Sequence, residues 1–165
     1  MISTQPPEVL VPTFDLVKQI EIAASIEIVF ESLLEELGPE GLMPVMGPEG
    51  LKPESKPFPM VLEAWPGGRW YRDLGNNAGH FWGHVQVIKP PTLLEIFGPL
   101  AMSFPAMNHM QYRLTAQGDI TRLVLTHRAL GMIQEDFRQG AGTVWGYRLD
   151  RTRILAERRR DQRSK

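Results

Sequence analysis

The chain has 165 residues, 42% hydrophobic and 22% charged, with a formal net charge of −1 and no cysteine. That length suits one domain around one core, and the composition is that of a folded protein rather than a disordered one. The balanced charge gives no field for steering onto nucleic acid, and the missing thiols exclude disulfides, zinc–thiolate centres, iron–sulfur clusters and cysteine nucleophiles.

These absences fit a cytoplasmic protein. The opening stretch MISTQPPEVLVPTFD lacks the basic-then-apolar order of a signal peptide, and no run of about 18 apolar residues predicts a membrane span. Residues 1–12, polar and holding three prolines, read as a flexible leader. Residues 13–157 read as a single domain and 158–165 as a charged tail.

From Thr13 to Ala24 the run TFDLVKQIEIAA places Phe14, Leu16, Ile20 and Ile22 on one side, as an amphipathic strand does. Ser25 is the expected N-cap of a short helix whose Val29, Phe30, Leu33, Leu34 and Leu37 follow helical spacing, with Gly38 as its stop. Next, G-P-E-G-L-x-P occurs at Gly38–Pro44 and again at Gly47–Pro53. We read these as duplicated turns in one loop over 38–58, because proline denies the segment a regular helix. A loop of that length in a small domain suits a lid or a binding loop.

Between Met60 and Leu130 strands and turns alternate. PMVLEAW, PGG and RWYRDL make a hairpin, and Asn76-Asn77-Ala78-Gly79 turns the chain into HFWGHVQVI. Pro90-Pro91 ends that strand, TLLEIFG follows, and HMQYRLTA and ITRLVLTHRAL close the meander around Gly118-Asp119. After Gly131 the period becomes helical, with Phe137, Ala141, Val144, Trp145, Leu149, Thr152 and Leu155 on one stripe. The predicted class is therefore α+β, a curved antiparallel sheet wrapped around a long C-terminal helix, with a short helix after strand 1. A twisted sheet around a single helix leaves space between them, so this order predicts an internal cavity.

Several stretches also carry a resemblance to a known family. They are Ala24-Ser25-Ile26-Glu27-Ile28-Val29-Phe30, Pro66-Gly67-Gly68-Arg69, Gly83 to Pro91 with Leu94-Glu95, and Gly142-Thr143-Val144-Trp145. Over residues 14–156 the chain resembles the helix-grip fold of the START-like (SRPBCC) superfamily. Within it, the chain is similar to domains like the activator of the 90-kDa heat-shock protein ATPase. The resemblance implies a cavity that binds or transports hydrophobic molecules, occasional cyclase or hydrolase members, and no shared catalytic set. The proline-rich 38–58 segment departs from the family pattern by its length.

The stretch WPGGRWYRDLGNNAGHFWGH, 65–84, holds three of the four tryptophans and two of the four histidines. His80 and His84 lie on a strand, where four residues span about 13 Å, too far for one metal with ligands at about 2 Å. No metal site or other cofactor is expected. Alternation assigns Phe81, Val85 and Val87 to the inner wall, and His80, Trp82, His84 and Gln86 to an outer surface open to a partner or a second copy in a homodimer. The opposite orientation, with Trp82 and His84 inside, stays open.

His127 alternates with Leu123 and Leu125, so apolar neighbours should lower its pKa and leave either a base or a satisfied core histidine. Arg69, Arg72 and Asp73 suit either a carboxylate clamp or cross-strand pairing with Glu63. Glu35 and Glu36 fall on the outer side of the first helix, as solubility residues. Gly140, Gly142 and Gly146 in one helix point to close backbone approach or to space kept for a ligand. Met102, Met107 and Met110 suit an adaptable pocket mouth or plain core.

The nominated pocket takes Trp70, Arg72, Phe81, Met110, Tyr112, Leu125 and His127 from the sheet. Val144 and Trp145 complete it from the helix. The expected function is binding, transport or sensing of an apolar or amphipathic small molecule. The alternatives are a cyclase- or hydrolase-type enzyme with His127 as base, and a co-chaperone-like interaction module.

Overall fold

The computed structural model describes residues 10–47 and 50–165. The leader reading of residues 1–9, and the start of the second G-P-E-G copy at Pro48-Glu49, lie outside the described residues. Strand β1 (Thr13–Ile22) runs into helix α1 (Ile26–Leu37). The Ser25 hydroxyl accepts from the Ile28 N–H at 3.5 Å, and Gly38 closes the helix by donating its N–H to the Glu35 carbonyl. Both ends fall where the sequence puts them.

Next come β2 (Leu42–Gly47) and β3 (Gly50–Pro57), which pair antiparallel as a separate two-stranded sheet. The expected loop is thus a hairpin. Proline forbids helix here, yet it is tolerated in a two-stranded ribbon whose outer edges need no partner.

The main sheet continues with β4 (Val61–Leu62), β5 (Arg69–Gly75), β6 (Ala78–Lys89), β7 (Leu93–Gly98), β8 (Ala106–Gln117) and β9 (Ile120–Gly131). Its order is β1-β9-β8-β7-β6-β5-β4, with every described pairing antiparallel. Asn76 and Asn77, at φ 52° and 60°, make the two-residue turn between β5 and β6.

Helix α2 (Glu135–Arg163) is 29 residues long, about 44 Å, and packs on α1 and β1. It runs through most of the segment expected as a charged tail. Arg159 pairs with Glu31 and Glu35, Arg163 with Glu31, and Arg160 donates to the Ala23 carbonyl. The basic run is therefore a clasp between the two helices. Among the described residues no helix is long and apolar enough to cross a membrane.

A bulge decides the inner face of β6. Trp70 pairs with Gly83 and Tyr71 with Phe81, so Trp82 is an extra residue. The inserted residue reverses the alternation. Trp82 is 3% exposed and packs edge-on against Trp70 at 5.0 Å, while Phe81 is 43% exposed on the outer face. This corrects two expectations: Trp82, not Phe81, is the inner aromatic, and Val85 alone of the predicted inner trio is fully buried. Gly83 and Gly98 permit the close approach beside the bulge. A Cβ on Gly98 would stand 2.4 Å from the Gly83 Cα.

Candidate ligand cavity

The first half of α2 does not close fully onto the sheet. Beneath it lies a cavity of about 300 Å³. Met43 of β2, Trp82 of β6, and Leu100 and Ala101 of the β7–β8 loop form one wall. Facing them on α2 are Phe137, Gly140, Ala141, Val144 and Trp145, with Asp136 and Arg148 completing the lining. Gly140 keeps part of this space, because a Cβ there meets no atom within 4 Å. Gly142 instead faces the Lys18 side chain, 3.4 Å from such a Cβ.

Deeper in the fold the interior is packed. Leu33, Leu37, Tyr112, Leu125, Leu149 and Thr152 close around a gap with no room for a water molecule. Of the nine nominated pocket residues, Val144 and Trp145 line the cavity, and Trp70, Met110, Tyr112, Leu125 and His127 form the core behind it. Arg72 and Phe81 do not belong to it. They line an open cleft along the β5–β6 hairpin, where the Arg72 guanidinium stacks 4.0 Å over Phe58. Arg69 is engaged by Glu63, with Nε donating to Oε2 at 3.0 Å, and that ion pair pulls the Glu63 carboxyl down to about 2. The cross-strand reading of Arg69 is the observed one.

Two walls of the cavity are tied together by one buried network. Trp145 Nε1 donates to Nδ1 of His127 at 3.1 Å, and His127 Nε2 stands 2.8 Å from Oδ1 of Asn108. The indole nitrogen can only donate, so Nδ1 is the acceptor and the ring proton sits on Nε2, directed at the Asn108 oxygen. Asn108 Nδ2 then donates to the Gly98 and Pro99 carbonyls at 3.2 and 3.3 Å. Leu100, held at φ +53°, donates its N–H to the Trp82 carbonyl at 2.9 Å. That backbone conformation costs a non-glycine residue about 1–2 kcal/mol, so the anchored loop over-determines it.

His127 is fully buried among Phe14, Phe137 and Trp145, each ring edge-on to it. Burial lowers its pKa to about 4, against a small opposing pull from Asp15. Both ring nitrogens are occupied. The imidazole fixes the position of the cavity walls and has no free lone pair for a base.

At the inner end, Arg148 meets Glu36. Nε donates to Glu36 Oε1 at 3.2 Å and Nη2 to the Glu36 backbone carbonyl at 2.8 Å. Neither side chain is more than 4% exposed. Burial raises the Glu36 carboxyl to about 7, with Arg148 as the main opposing influence. Glu36 is thus buried, against the solvent-facing expectation, whereas Glu35 is the outer residue and meets Arg159. The sequence does carry a signal for this: Arg148 lies beside Leu149 and Thr152 on the apolar stripe of α2, a cation with no place in a core unless an acid meets it there.

The remaining candidates do not line this cavity. His80 is exposed, and His84 Nδ1 lies 3.0 Å from the Gly67 carbonyl, to which it donates. Among the described residues, no group of three or more His, Asp or Glu side chains could hold a metal ion. Met102 touches Asn108 Nδ2 at 3.5 Å, Met110 is core, and Met107 is 47% exposed on the outer face. Met43, which no sequence pattern singles out, is the methionine that lines the cavity.

No family model and no curated protein matches the chain. Solved structures do. CalU16 from Micromonospora echinospora is 19% identical over 86% of this chain and 75% of its own, with a TM-score of 0.59. Protein MLL2253 from Mesorhizobium loti is 16% identical over 88% of this chain and 98% of its own, at 0.64. SA2116 from Staphylococcus aureus, a protein of unknown function, is 9% identical over 89% and 95%, at 0.63. At these identities the likeness establishes a shared fold: an α+β domain in which a seven-stranded antiparallel sheet grips a long C-terminal helix.

Proposed function

We propose that this chain binds a small hydrophobic molecule in the cavity beneath the first half of α2, to hold, carry or sense it. The observation that carries the reading is the void itself. It is walled by Trp82, Leu100, Val144 and Trp145 and kept open at Gly140 in an otherwise packed interior. Its volume stands at the lower end of about 300–1,000 Å³ for small-molecule sites, which favours a single-chain or single-ring ligand. The resemblance to START-like (SRPBCC) domains similar to the heat-shock ATPase activator supports the same reading. The engaged nitrogens of His127 favour binding over general-base catalysis.

Decanol titration, followed by tryptophan fluorescence, tests this. Trp82 and Trp145 line the cavity, so saturable quenching or a blue shift is expected. Gly140→Leu, which fills the space, should weaken the affinity about ten-fold or more while leaving the fold intact, since one or two displaced methylenes are worth that much. No saturable change in the parent protein, or unchanged affinity in Gly140→Leu, overturns the proposal.

A further inference from the structure

The two edges of the main sheet are built differently. At one end β4 is two residues long, and so short an edge offers little to an incoming strand. At the other end β1 runs ten residues against β9 with no proline and no shift of register. Among the described residues β9 is its only strand partner.

Alternation fixes which backbone groups that edge presents. Gly131 donates to the Pro12 carbonyl, so residue 12 and the even positions after it point their backbone polar groups at β9. Thr13, Asp15, Val17, Gln19 and Glu21 therefore point theirs outward. The Thr13 carbonyl agrees, since it accepts from Arg138 Nη1 at 2.8 Å rather than from β9. Edge strands are commonly guarded by charged side chains. Here the charges are engaged elsewhere: Asp15 meets Arg128 at 3.4 Å and Glu21 meets Arg122 at 3.6 Å. The Lys18 side chain lies inward, beside Gly142 of α2. Val17, the middle of the five outward residues, is apolar and 58% exposed.

We infer that β1 pairs antiparallel with β1 of a second copy, about a twofold axis through Val17, joining two main sheets into one. In this register every outward residue meets an outward residue. Val17 faces Val17, Asp15 faces Gln19, and Thr13 faces Glu21 across the axis. About ten main-chain hydrogen bonds form, the number of a typical protein interface. A slip of two residues one way sets Asp15 against Glu21 and Lys18 against Lys18, and like charges directly opposite are destabilising. The same slip the other way shortens the ladder and sets Asp15 against Val17. A slip of one sets outward groups against residues already bonded to β9.

Sedimentation velocity of the intact chain at high micromolar concentration tests the pairing. The parent protein should sediment as a dimer of two 18.7 kDa chains. Val17→Pro deletes an outward N–H and leaves the β1–β9 ladder whole, and Val17→Lys sets two cations on the axis. Each substitution should weaken dimerisation about ten-fold or more. The chain has no cysteine, so single introduced cysteines report the register. Val17→Cys should cross-link under mild oxidation, its two Cα atoms being about 5.5 Å apart. Gln19→Cys should not, at about 13 Å across the axis. A monomeric parent, a dimer unchanged in Val17→Lys, or equal cross-linking at 17 and 19 overturns the inference.

Discussion

Trp145 of α2 donates its indole N–H to Nδ1 of His127 on β9 at 3.1 Å. That one bond fixes the tautomer of a buried imidazole and, through Asn108, links the helix wall of the cavity to the loop wall. By nitrogen-15 NMR, His127 should therefore be the Nε2–H tautomer at neutral pH and should remain neutral down to about pH 4. An ordinary titration near the usual histidine value of about 6.5 would show that the ring is open to solvent and free to act as a base.

Glu36 and Arg148 form a second buried pair, and removing one partner strands the other. Arg148→Met and Glu36→Leu should each destabilise the fold by about 3–5 kcal/mol, whereas the double variant should lose clearly less than their sum. Urea midpoints of the four proteins give the coupling. Additive losses would mean that the pair contributes nothing jointly.

Glu36 and His127 oppose each other with pH. Glu36 has a folded pKa raised to about 7 from 4.5, so its contribution is fully present below about 4.5 and is lost as pH rises through 7. His127 is lowered to about 4 from 6.5, so its contribution is present above 6.5 and is lost as pH falls toward 4. Between pH 5 and 7 the parent protein should therefore change little. Glu36→Gln should lose stability steadily on acidification over that range, and His127→Gln should gain it. Parallel pH profiles for all three proteins would contradict this.

Much of the frame is legible in the amino-acid sequence. Alternation finds β1 and the strands from Met60 to Leu130, Asn76-Asn77 marks the hairpin turn, and the stripe from Phe137 to Leu155 marks the long helix, whereas the proline-rich β2–β3 hairpin reads as a loop. The inward position of Trp82 is not legible, because a single inserted residue inverts the face of everything beyond it and strict alternation has no place for a bulge. Gly83 is the available hint, since glycine inside a strand marks such a site. Glu36, Arg159, Arg160 and Arg163 escape a local reading for a related reason: their partners across the fold lie 112 to 137 positions away. A local pattern treats a charge as solvated unless it knows what another helix brings to it. Element order predicts a cavity but not its place. The bulge, the 98–102 loop and Gly140 set that place jointly.

Gly140 offers a prediction with a sign opposite to most substitutions. An added methyl meets no atom within 4 Å there, and alanine is the better helix former. Gly140→Ala should stabilise the protein by about 0.5–1 kcal/mol in denaturant unfolding. A loss of stability would mean that the space is already filled.

The cavity itself is tested most directly by intermolecular NOEs from bound decanol. Contacts to the Val144 and Ala141 methyl groups and to the Trp82 and Trp145 indoles are expected, since all four line the void. Contacts confined to the outer face, around Phe97, Met107 and Leu130, would contradict a binding site beneath α2.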